Sequence, residues 1–151
     1  MKVRMIVSLL LFSTSMGLAR TIALDVSVGA ISPKQDFPEP HLDFTGHLWY
    51  PFDQMVFLGL GSGIQNMGDD RHIPLLGSIS VRFPIGRQIL PVATGDFGYD
   101  FGDDPQRVWR GGFGLDIKNG DRSSLLFLVG CENFAQLGFH WYVRGGLLLE
   151  W

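Results

Sequence analysis

Residues 137–151 read LGFHWYVRGGLLLEW and alternate without a break. Leu137, Phe139, Trp141, Val143, Gly145, Leu147, Leu149 and Trp151 share one parity; Gly138, His140, Tyr142, Arg144, Gly146, Leu148 and Glu150 share the other. Successive side chains of an extended chain point to opposite sides, so one face here is apolar or glycine throughout and the other holds every ionisable group. A strand with hydrocarbon on one side and a polar interior on the other has this pattern. It reads as a wall strand of a transmembrane β-barrel.

The same period recurs upstream and predicts strands at Thr21–Ala30, Leu42–Tyr50, Met55–Ile64, Ile73–Phe83, Ile89–Tyr99, Val108–Ile117 and Ser123–Glu132. With the last segment these make an even set of eight, each long enough to cross a membrane when tilted, which takes roughly 9 to 11 residues. The expected fold is all-β, an eight-stranded antiparallel up-and-down transmembrane β-barrel. Short turns are expected near Pro51–Gln54, Pro84–Arg87 and Lys118–Asp121, the last carrying the hairpin signal Asn119-Gly120. They alternate with longer connections near Ser32–His41, Gln65–His72, Asp100–Gln106 and Asn133–Gln136. Short periplasmic turns and longer outer loops are the usual asymmetry, which puts both termini on the periplasmic side. Three inward glycines on the third strand, Gly59, Gly61 and Gly63, are expected to leave space in the lumen.

The N-terminus is consistent with export. Lys2 and Arg4 precede the apolar run Met5–Phe12, followed by small residues through Gly17-Leu18-Ala19, the order of a secretory signal peptide. Residues 1–19 are read as that leader and 20–151 as the barrel domain. Losing Lys2 and Arg4 with the leader takes the formal charge from −3 to about −5, which offers no electrostatic footprint for nucleic acid. Cys131 is the single cysteine, so no internal disulfide is available. It reads as a small lipid-facing hydrophobe.

A soluble lipocalin-like barrel would also alternate, with its apolar face inward. Past the leader, however, the lysines are Lys34 and Lys118, both between strands, whereas a solvated exterior is normally rich in lysine. Aromatic residues gather at strand ends instead, with Tyr50, Phe52, Phe83 and Trp151 towards the periplasm. Phe44, Tyr99, Phe101, Trp109, Phe139 and Trp141 lie towards the other rim, the girdles that amphipathic rings form at membrane interfaces.

Leader, alternating strands and terminal aromatic together resemble the small eight-stranded outer-membrane barrels of the OmpA and OmpX kind, over essentially all of residues 20–151. The resemblance implies a cell outer membrane location. It also implies that Phe139, Trp141, Val143 and Trp151 are the signal read by the barrel-assembly machinery, although a terminal Trp stands where Phe is usual.

The inward parity collects Asp25, Asp43, Asp96, Asp116, Glu132 and Glu150 with Arg82, Arg110, Arg144, His47 and His140. An eight-stranded barrel has a lumen just wide enough for side chains to fill, and buried charges must be paired. A polar network of Asp25, Asp96, Arg82, Arg110, Asp116, Arg144 and Glu150 is therefore expected. Arg110 is expected to meet Asp96 or Asp100, and Arg144 to meet Asp25. No catalytic, cofactor or metal site is expected. His140 is followed by Trp141 and Tyr142 and so lacks the nearby Ser of barrel lipid A deacylases, and two separated histidines make no metal site. The loop acids Asp69, Asp70, Asp100, Asp103 and Asp104 lack the spacing of a calcium loop and read as solvated charge.

The function expected is a non-enzymatic outer-membrane protein, structural or active at the surface through its extracellular loops, in adhesion or envelope integrity. A small pore, a lipid A-modifying enzyme and a lipocalin-like binder are the alternatives. Expected partners are outer-membrane lipid, lipopolysaccharide and the assembly machinery, with the chain itself a monomer.

Overall fold

The computed structural model describes residues 22–31, 41–67, 70–102, 105–135 and 138–150. Its strands are β1 (Ala23–Ile31), β2 (His41–Pro51), β3 (Val56–Met67), β4 in two pieces flanking Ile73 (Asp70–His72 and Pro74–Arg82), β5 (Ile89–Asp100), β6 (Gln106–Lys118), β7 (Ser123–Phe134) and β8 (Gly138–Glu150). Each pairs antiparallel with its sequence neighbour. β8 returns to β1, from Ala23 opposite Glu150 to Ile31 opposite Tyr142, and closes the sheet. This is the eight-stranded up-and-down barrel that the alternation predicts. Closure leaves no strand edge, so the wall satisfies its backbone hydrogen bonds without water.

The faces fall as expected. Outward side chains are apolar and bare, with Leu60 at 67 %, Phe97 at 65 % and Phe113 at 75 % exposure. Inward ones include Asp25, Asp43, Arg110, Glu132 and Arg144, all buried. That arrangement is the reverse of a soluble lipid-binding barrel. So continuous an apolar exterior requires a hydrocarbon solvent, since roughly 25 cal/mol for each Å² would otherwise oppose its exposure to water.

At the end away from the termini the strands run further than the hydropathy period suggests. Gln65 pairs with His72 and Met67 with Asp70, so the predicted loop Gln65–His72 is mostly a hairpin. Asp100 pairs with Gln106, and Asn133 and Phe134 remain in β7, so two other predicted loops are shorter as well. The physical reason lies in the lumen: Gln65, His72, Asp100, Gln106 and Phe134 are all buried, and hold the ladder together beyond the height at which apolar alternation ends. The segment 32–40, between β1 and β2, is the long connection at this rim and lies outside the described residues. So do the predicted leader, Leu137 and Trp151.

The opposite rim carries tight turns. The Asn119-Gly120 turn closes with the Asn119 amide donating to the Ser123 carbonyl at 2.9 Å, and Gly120 adopts φ 154°, which side chains disfavour. In the turn after β2, the Asp53 carboxylate accepts from the amides of Met55 at 2.7 Å and Val56 at 2.6 Å. These bonds, Val56 first, hold its pKa below the usual carboxylate value. The stabilisation is therefore complete above the ordinary carboxylate range and is lost as pH falls through the lowered value. Amide resonances of Met55 and Val56 should titrate below the pH of a free aspartate; titration at the free value would contradict the capping role.

Candidate functional site

The lumen is built from large side chains laid over glycines of the neighbouring strand. Gly29 of β1 stands opposite both Asp43 of β2 and Arg144 of β8. A Cβ on Gly29 would collide with the Arg144 side chain and the Val143 carbonyl. The guanidinium uses that opening to cross β1 and meet the Asp43 carboxylate through both Nε and Nη2. Thr45 Oγ1 donates to the other Asp43 oxygen at 2.8 Å, and the Arg144 guanidinium lies 4.4 Å from the centroid of the Tyr142 ring. The expected Arg144–Asp25 pair is therefore replaced by Arg144–Asp43, because the glycine lies on the strand between them.

Asp25 has other partners. It accepts from Trp49 Nε1 at 2.6 Å and lies 3.3 Å from His47 Nδ1, while His47 Nε2 lies 3.5 Å from Asp96. The His47 and Trp49 rings stack at 5.1 Å and occupy the space above Gly61 and Gly59. Those glycines thus do not leave a void, as their sequence suggests, but seat two rings. Tyr142 is similarly seated over Gly112 and Gly130.

Arg110 stands in register with Asp96 on one side and Glu132 on the other, and its ion pair is with Glu132, at 3.0 Å from Nε. Glu132 also accepts from Gln65 Nε2 at 3.1 Å. Asp100, the other predicted partner of Arg110, hydrogen-bonds His72 instead. Nearer the termini, Arg82 donates to Glu150 at 2.7 Å, lies 3.3 Å from Asp116 and covers the Phe57 ring at 4.0 Å. Asp25, Asp96, Arg82, Arg110, Asp116 and Arg144 are buried and Glu150 is partly exposed; Arg110 and Arg144 share Glu132, which lies 4.0 Å from Arg144 Nη2.

Apolar clusters lie between and beyond these groups. Ala23, Trp49 and Leu148 pack near the terminal end, and Ile31, Leu76, Val92, Val108, Leu126, Leu128, Phe134 and Tyr142 form a larger cluster. The enclosed space among Asp25, His47, Trp49, Arg82 and Asp96 is about 10 Å³, room for about one water.

No protein-family model and no curated protein matches the chain. Solved structures do. Neisserial surface protein A is similar over 87% of this chain and 97% of that one, with a TM-score of 0.71 at 7% identity. The N-terminal β-barrel domain of Pseudomonas aeruginosa OprF is similar over 85% and 97%, with 0.63 at 12%. The fold is that of the small eight-stranded outer-membrane barrels of the OmpA and OmpX kind. Ail, the attachment invasion locus protein of Yersinia pestis, shares it over 87% and 97%, with 0.53 at 9% identity.

In this barrel the predicted assembly residues Phe139, Trp141 and Val143 point outward and are exposed, while Trp151 lies outside the described residues. The Trp109 and Phe139 rings meet edge to face at 5.2 Å on the outer wall. Parity identified the lumen residues, but the ion-pair partners Asp43 and Glu132 and the ring-seating glycines depend on cross-strand register. The available sequence signal was an inward glycine on a strand adjacent to one carrying a bulky inward residue.

Proposed function

We propose that this protein is a non-enzymatic outer-membrane barrel, exported by its N-terminal leader and monomeric, that acts at the cell surface in adhesion or envelope integrity. The observation that carries this reading is the combination of an apolar exterior with a lumen filled by paired charges and rings. A filled lumen gives no route for solute, and the pore alternative is disfavoured accordingly. The names of the similar structures, a surface protein and an attachment protein, support a role outside the barrel rather than within it. Folding through the barrel-assembly machinery, with Phe139, Trp141, Val143 and Trp151 as its signal, belongs to the same proposal.

The surface role has a defined test. Deleting 33–39 should reduce binding to host cells or envelope partners while the folded barrel persists; undiminished binding would remove adhesion through that segment. A matching deletion after β5 should be confined to 102–105, because Asp100 and Gln106 are buried ladder partners whose loss would damage the wall. In planar bilayers the protein should be silent, and discrete conductance steps would restore the pore reading.

A further inference from the structure

Inward glycines such as Gly59, Gly61 and Gly112 seat rings and Gly29 makes room for the Arg144 side chain, but Gly77 and Gly111 face outward and crowd nothing. A Cβ on Gly77 would meet only the Phe97 carbonyl oxygen, at 3.7 Å, and one on Gly111 would meet nothing within 4 Å. Barrel packing gives no reason for their missing side chains. What the missing side chain at Gly77 leaves is a furrow on the membrane face.

Its upper part is an open groove of about 440 Å³ lined by Leu60, Leu75, Gly77, Phe97 and Tyr99, with Arg107 at the rim. It continues down the wall, past the shared Gly77 and Phe97, into a second, more open hollow of about 430 Å³ at Ile79 and Gly95 that also reaches Ser78, Asp96 and Arg110. The charge pattern is as selective as the shape. Among the described strand residues that point outward, Arg71 on β4 and Arg107 on β6 are the charged ones, and no carboxylate accompanies them. Both are exposed, both lie at the rim away from the termini, and they flank the strand that carries Tyr99. Tyr99 and Phe101 pack at 5.4 Å within that rim.

We propose that this furrow is a binding site for the lipid A part of lipopolysaccharide, with an acyl chain along Leu75, Gly77 and Phe97 and headgroup phosphates on Arg107 and Arg71. Guanidinium groups bind phosphate through paired, charge-assisted hydrogen bonds, and the aromatic girdle marks the headgroup level. Two cations on strands either side of one aromatic strand suit a headgroup with two phosphates better than a phospholipid with one. The assignment rests on the outer-membrane reading above, since the Arg rim then faces the outer leaflet.

The test uses the refolded full barrel in micelles, with lipid binding followed by native mass spectrometry. The probes are bisphosphorylated lipid A, its dephosphorylated form and phosphatidylglycerol. Lipid A should bind best. Arg107→Gln should weaken it about tenfold, while Arg122→Gln, at the opposite rim, should leave it unchanged. Gly77→Leu should weaken it by filling the furrow. If Gly77→Leu does not fold, Arg107→Gln decides alone. Equal binding of phosphatidylglycerol, or full affinity in Arg107→Gln, overturns the site. A heat-dependent shift on SDS gels is read on the same samples. Its absence in the unmodified protein would defeat the barrel reading itself, whereas its presence with no lipid preference defeats this inference alone.

Discussion

Arg144→Met is expected to destabilise the barrel by about 3 to 5 kcal/mol, because it leaves the Asp43 carboxylate charged in the lumen with no cation against it. The carboxylate is fully buried and its remaining bond, from Thr45, is a single neutral donor. Asp43→Asn should cost a comparable amount by the reverse logic. The double variant should recover much of either loss, since neither charge then remains unpaired, and the coupling between the two positions should exceed about 1 kcal/mol. Urea unfolding of the barrel in lipid vesicles measures all three. Additive losses would mean that Arg144 is held by Glu132, at 4.0 Å, or by Tyr142 rather than by Asp43.

The second large effect follows from the ring-seating glycines. Gly61→Val puts a branched side chain where the His47 ring lies, and that ring is fixed between Asp25, Asp96 and Trp49. The ring cannot withdraw without breaking those contacts, so the variant should lose about 1 to 3 kcal/mol, at the upper end if the Asp25 bonds go as well. His47→Ala in the same background makes room and should restore part of the loss. Gly111→Val, on the outer wall, should cost little, because no atom lies within 4 Å of its Cβ. Equal destabilisation at Gly61 and Gly111 would contradict the seating account.

The wall was legible in the sequence because a strand has a period of two and the bilayer enforces it on every strand. Even Ile89–Asp100, with Pro91 inside it, kept its place, since its outward residues Ala93, Phe97 and Tyr99 alternate with inward Thr94 and Asp96. Strand ends were less legible. Gln65, Asn66, Arg71 and His72 have the polarity of a loop, but above the hydrocarbon a ladder no longer needs an apolar face, and hydropathy stops reporting it. Pairing inside the lumen was the least legible. Parity places Asp25, Asp43 and Arg144 on one face, but which carboxylate Arg144 reaches depends on the stagger between strands and on the gap at Gly29. Those are properties of the closed sheet, invisible to any single segment.

The most direct measurement is electrophoresis of the outer-membrane fraction in SDS, with and without boiling. A sheet closed from β1 to β8 keeps its hydrogen bonds in detergent until heated, so the unboiled protein should migrate apart from the boiled one. A protein found in the soluble fraction, migrating identically in both lanes, would contradict the membrane barrel and the outward placement of its apolar face.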